Sequence, residues 1–261
     1  MYYSSGLEYI VSNFYSRNYS SSPTYCLRFV DDKYEFSRNN HSESAYIGNT
    51  TANSFSVYKA GEIYPSAYTT NHSFSPTIFL SPLRPKSRII VDNNEVRNIV
   101  KEIFELMMKE KMPDHISINV LSLNDFKALH SQFGSWSNGI LGFSINGDKK
   151  LVFVRENNLD ELMIVIGHEI GHVLTDTLPN KHDEEAKAFA FSIEWARTIK
   201  KHNVAGLGLS IKEETEFDPA RNGLHDIAFH FVDFMIKKGR KAIELHRDLV
   251  SGYISFFDRI Y

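Results

Sequence analysis

The spacing of apolar positions changes near residue 90, and the elements it predicts change with it. Before that point, short alternating runs at 24–30 (TYCLRFV) and 54–60 (SFSVYKA) predict strands separated by polar loops. Pro76, Pro82 and Pro85 then mark an extended connector over 75–90. From Asp92 onward, Val96, Ile99, Val100, Ile103, Leu106 and Met107 recur at helical spacing, with Asp92 or Asn93 as cap and Pro113 as stop. Residues 115–123 alternate like a strand, and 124–134 read as a short helix ending at Gly134. Two β-rich runs within 139–156 meet at Asn146-Gly147, a strong hairpin signal. The next helix opens at Asn158, with Glu161 completing a capping box, and is predicted to run to Leu178-Pro179. A second helix covers 183–202, and helical segments at 224–239 and 242–257 close the chain.

This pattern predicts an α+β protein in three parts. Residues 1–90 form a strand-rich segment to which no role is assigned, residues 91–205 a compact core, and residues 206–261 a helical segment.

Two histidines and a glutamate interrupt the apolar run of the 158–178 helix: IVIGHEIGHVLTD, residues 164–176. His168 and His172 are four apart, so both imidazoles lie on one helix face and can reach one ion with bonds of about 2 Å. Glu169 is rotated away by about 100° and can take a proton from a water that such an ion activates. As unrelated core residues, two imidazoles and a carboxylate would each need a buried partner. One shared metal satisfies all three.

The third ligand follows from the next helix. With Lys187, Glu194 and Lys201 taken as its solvent face, Glu185 projects to the opposite side along with Phe189, Ser192 and Ala196, and Glu184 lies near the boundary. Glu185 is therefore the expected ligand. His182 is the competitor, as ligand or as support for one, and Asp176, one turn beyond His172, is a candidate to orient an imidazole. The metzincin pattern is excluded, because Leu178 stands where its third histidine belongs and Thr175 where it needs glycine.

His168-Glu169-Ile170-Gly171-His172 followed by Glu185-Ala186-Lys187-Ala188-Phe189-Ala190 resembles the gluzincin zinc metallopeptidases, most of all the minimal gluzincins and the ImmA/IrrE-like peptidases. The likeness spans about 110 residues, over the order helix, strand layer, HExxH helix, glutamate helix. It implies a zincin-like core, one Zn2+ per chain on His168, His172 and Glu185, and Glu169 as general base. It also implies that the 150–156 strand or its hairpin partner lines the cleft and pairs with an extended peptide or protein substrate. Two positions depart from the pattern: Phe189 replaces the acid of larger gluzincins, and Lys187 replaces the asparagine common in ImmA/IrrE-like proteins.

Peptide hydrolysis also needs a donor to the developing oxyanion, for which His225 and His230 are candidates. A competing expectation is a catalytically silent zinc-binding or interaction module. The intact Glu169 argues against it, because a purely structural site has no use for a base. A di-iron bundle would need a second Glu-x-x-His, which the sequence lacks.

Bulk properties narrow the partners. A formal net charge of −3 and the absence of a long Lys/Arg run point away from nucleic acid and anionic membranes. No apolar run reaches membrane-spanning length, and the N-terminus lacks the pattern of a signal peptide, so a cytoplasmic protein is expected. Eleven of the thirteen tyrosines fall before residue 90. That segment is a candidate for autoinhibition, and Cys26 within it for a thiolate latch, although a buried apolar cysteine is the simpler expectation.

Overall fold

The computed structural model describes residues 74–90, 92–213 and 223–256, together with three short strands, β1 (Phe29–Val30), β2 (Ser54–Phe55) and β3 (Tyr64–Pro65). The architecture is α+β. In chain order there follow β4 (Ile89–Ile90), α1 (Asn93–Met108), β5 (Ile116–Leu121), α2 (Leu123–His130), β6 (Gly142–Asn146), β7 (Lys150–Arg155), β8 (Asn157–Asn158), α3 (Leu159–Val173), α4 (Lys181–His202), α5 (Gly223–Lys237) and α6 (Ala242–Val250). β1 and β2, inside the two N-terminal runs predicted as strands, pair antiparallel.

The main sheet has the order β3-β6-β7-β5. β5 runs parallel to β7, β6 lies antiparallel to β7, and β3 adds to the outer edge of β6. Side chains alternate across a strand, so each strand serves two layers. Val152 and Val154 of β7 join the main core with α1, α3 and α4, whereas Leu151 and Phe153 join Phe126, Leu129, Phe143 and Ile145 in a second core under α2. On β6 the same alternation turns Phe143 and Ile145 to the second core and leaves Gly142, Ser144 and Asn146 against α3.

Several expected boundaries move, each for a local reason. α1 ends at Met108 because Lys109 adopts a left-handed conformation that closes the last turn, well before Pro113. The hairpin is present, but Asn146 pairs with Lys150, so three residues rather than two make the turn. α3 starts after Asn158 as expected, yet the Asn158 side chain makes no cap hydrogen bond. Glu161 is engaged elsewhere, accepting from Arg84 (2.8 Å) and Asn157 (2.7 Å). α3 stops at Val173, and residues 174–180 form the loop into α4.

The 75–90 stretch is more than a connector. Pro76–Phe79 forms a 3-10 turn, and Phe79 and Leu80 are fully buried in the main core. That core runs without a break from Phe74 to Leu249, across the divisions expected near residues 90 and 205. Among the described residues no helix is long and apolar enough to cross a membrane.

Candidate functional site

The α3–α4 hairpin places the expected ligands, and two glycines set how closely its helices approach. A Cβ on Gly167 would stand 2.5 Å from the Trp195 ring, and one on Gly171 would stand 2.9 Å from the Ala188 backbone. The Trp195 indole is itself fixed by donating to the Met163 carbonyl (2.9 Å). With the helices this close, Glu185 in the second turn of α4 reaches the imidazoles in the last turns of α3.

All the groups involved are buried: His168, Glu169, His172, Glu185 and His225. His172 Nδ1–H donates to Glu184 Oε1 at 2.8 Å. His168 Nδ1 lies 3.3 Å from Ser192 Oγ, whose own proton goes to the Ala188 carbonyl (2.7 Å). Both imidazoles thus spend Nδ1–H on the protein and turn the Nε2 lone pair inward, where the two Nε2 atoms stand 3.3 Å apart. Glu185 Oε2 lies 3.6 Å from His168 Nε2, 3.8 Å from His172 Nε2 and 3.1 Å from His225 Nε2, and accepts no hydrogen bond. Donor atoms around a tetrahedral zinc, with bonds of about 2.0–2.1 Å, stand about 3.3–3.4 Å apart. Converging lone pairs and an orphaned buried carboxylate oxygen at such separations fit a divalent cation. The ligand atoms of His168, Glu185 and His225 also lie within 4.8 Å of one another.

Electrostatics reflect this crowding. Burial holds the His168 imidazole down to about 4, against the opposing pull of Glu185. Burial also works against the charged form of Glu185, but His225, His172 and His168 outweigh it and keep the carboxyl well below its ordinary range. Against the same burial penalty, Glu185 raises His172 and His225. Glu169 is raised by burial, although His172 and a hydrogen bond from Ser144 Oγ (2.8 Å) pull the other way.

Glu184 is the residue that sequence reasoning passed over. It accepts from His172 Nδ1, from the Leu178 backbone N–H (2.7 Å) and, as an ion pair, from Lys187 Nζ (2.9 Å). Lys187 was expected on the solvent face and is instead fully buried. Its ammonium also donates to the carbonyls of His172 (3.2 Å) and Asp176 (3.1 Å), capping the end of α3. The available signal was the Glu184–Lys187 spacing of three, which puts the two on one helix face.

The structure brings His168, Glu169, His172, Glu185 and His225 together and leaves three candidates outside. Asp176 is exposed, 3.8 Å from Lys150, so the carboxylate that orients an imidazole is Glu184 instead. His182 stacks on Phe256 (5.1 Å, 17°), held there because the C-terminal turn hydrogen-bonds to Asp183, its neighbour in α4. His230 lies on the exposed side of α5, five residues from the inward-facing His225. Of the first ninety residues, Phe74 meets the site, stacked on the His168 ring at 4.0 Å and 9°. Cys26 and most of the segment expected to be autoinhibitory lie outside the described residues. No family model, curated protein or solved structure matches this chain.

Proposed function

We propose that this protein is a zinc-dependent metallopeptidase of gluzincin type, with a zincin-like core from α1 to α4. The observation that carries the reading is a division of labour between two buried carboxylates. Glu185 offers an unpartnered oxygen to the imidazoles, while Glu169 stands beside them without needing to bind. A zinc ion on His168, His172 and Glu185 would acidify a water and polarise a substrate carbonyl.

The remaining work falls to the chain's own groups. Glu169 takes the proton from the attacking water and passes it to the leaving amine. Its burial, which raises its proton affinity, suits it to holding that proton between the two events. Ser144 keeps one Glu169 oxygen aligned and leaves the other to act. Glu184 and Ser192 hold the tautomers that expose both Nε2 atoms. β6 presents Gly142 and Ser144 beside Glu169, which makes it the strand against which an extended peptide would lie. With β3 already paired to Ile145 and Asn146 on its outer edge, the peptide would compete with that strand for the edge.

Glu169→Gln tests the reading. Peptide hydrolysis should fall by roughly 10²–10⁴-fold while bound zinc stays at the wild-type level. Unchanged hydrolysis in this variant would contradict the assignment. A second reading, zinc as a structural clamp in a non-catalytic module, is favoured by one observation: a third imidazole, His225, crowds the same oxygen.

A further inference from the structure

We propose that β3 is an in-chain occupant of the substrate edge, so that the N-terminal segment and an extended peptide bind to β6 in competition. The inference rests on the peptidase reading above and adds the regulation of that site.

The argument begins with where the backbone groups of β6 point. Arg155 N–H donates to the Leu141 carbonyl (2.9 Å), whereas Lys150 N–H donates away from β6, to the His115 carbonyl (3.3 Å). Bonded and non-bonded pairs alternate along an antiparallel ladder. Phe143 and Ile145 therefore spend their backbone groups on β7, opposite Phe153 and Leu151. Gly142, Ser144 and Asn146 aim theirs at the outer edge. Such a row of N–H and C=O groups is what an extended peptide pairs with. Two members of the row also flank Glu169: a Cβ on Gly142 would stand 3.1 Å from Glu169 Oε1, and Ser144 Oγ donates to Glu169 Oε2 at 2.8 Å. A peptide paired along the row is thereby laid beside the general base.

β3 takes the end of that row. It runs antiparallel to β6, with Tyr64 opposite Asn146 and Pro65 opposite Ile145. Asn146 aims outward, so its pair with Tyr64 is the hydrogen-bonded kind. The next outward-aiming position is Ser144, whose hydroxyl holds Glu169. A peptide that uses the whole row must take the place of β3.

The same stretch of chain reaches the site at a second point. Nine residues after Pro65, the buried Phe74 stacks on the His168 ring at 4.0 Å and 9°. Phe79 and Phe189 hold it there, with ring centres 6.0 and 5.7 Å away. An anchor this near in sequence presents β3 to the edge at an effective concentration of about millimolar, at or above the usual KM range of about 1 μM to 1 mM. β3 is thus a competitor that a peptide displaces by mass action, with no further event required.

A reversible cross-link tests this in the full-length, zinc-loaded chain. Pro65 and Ile145 form a pair of the non-hydrogen-bonded kind, whose Cα atoms stand about 4.5 Å apart, within disulfide range. Pro65→Cys with Ile145→Cys, in a Cys26→Ser background, should close a disulfide on oxidation. The substrate is the peptide that wild type cleaves fastest from a proteome-derived peptide library. Oxidised, the variant should hydrolyse it at least about tenfold more slowly than reduced, with equal zinc content in the two states. Tyr64→Pro, which removes an N–H from the β3–β6 pair, should lower KM about 2–10-fold at unchanged kcat. Failure of the disulfide to form, equal hydrolysis in the two redox states, or an unchanged KM in Tyr64→Pro overturns the inference and leaves the peptidase reading intact. Absence of hydrolysis of the whole library, by wild type and by the reduced variant, overturns that reading and this inference with it.

Discussion

Glu184 shows how much one side chain can couple. Its two oxygens tie the His172 imidazole, a loop amide and a fully buried ammonium into one network. Glu184→Ala would leave the Lys187 charge without its carboxylate, a loss of the kind that costs about 3–5 kcal/mol. It would also free the His172 ring and lower metal affinity about 10–100-fold. Replacing both partners, as in Glu184→Leu with Lys187→Met, should restore most of the stability in urea denaturation but not the metal affinity, which separates the two roles. The legibility of this site follows the same line. The burial of Glu185 was readable from helix geometry, although one of the three positions used to set the opposite face, Lys187, is itself buried. That of Glu184 was not, because a lysine near a helix start reads as solvated. The burial of Lys187 is made tolerable by the Glu184 carboxylate together with carbonyl oxygens at the end of α3, eleven and fifteen residues away in sequence.

Among the elements, α3 carries the site and is pinned at both ends. At its start, Arg84 donates to Asp160 (2.6 Å) and Glu161 (2.8 Å) across more than seventy residues of sequence. The amides that a capping box would serve are met instead by the Arg88 carbonyl (from Leu159), Ser87 Oγ (from Asp160) and the Asp160 carboxylate (from Glu161), and the first two of these acceptors lie too far away in sequence for a local pattern to foresee. Along its length, Gly167 and Gly171 admit α4. Gly167→Ala would put a methyl 2.5 Å from the Trp195 ring, and overpacking of this kind costs about 1–3 kcal/mol. A lower denaturant midpoint at unchanged m-value should report it, together with weaker metal binding as Glu185 is pushed away from the histidines. An unaffected midpoint would mean that the hairpin has slack. Period and turn signals located α1, β5, the β6–β7 hairpin, α3 and α4, although α3, α4, β6 and β7 are buried on nearly every side and only α1 and β5 show one regular buried face. They missed how the 75–90 stretch ends, since nothing local marks Phe79 and Leu80 as plugs for a core assembled from elements further along the chain.

At the scale of the whole molecule, one core joins what composition had divided. Phe74, Ile78, Phe79 and Leu80 belong to the same core cluster as residues as distant as Leu249, so the described residues on either side of position 90 share one core. Two histidines buried away from the site link this core to pH. Burial lowers His130, in the aromatic cluster under the sheet, and His246, bonded to the Lys187 carbonyl, from 6.5 to about 4. Between those values the unfolded chain binds protons that the native state refuses, so stability is present above about pH 6.5 and drains away as pH falls towards 4. His130→Phe should flatten that decline relative to wild type, read as denaturation midpoints across the same pH range. A parallel decline in both proteins would remove His130 from the account.

The claim on which the rest depends is that the α3–α4 hairpin holds a metal ion, and elemental analysis of purified protein tests it most directly. Wild type should carry about one zinc per chain, Glu185→Ala should lose it, and His182→Ala should keep it. Full retention of zinc in Glu185→Ala, or no metal in wild type even after zinc is resupplied, would contradict the account.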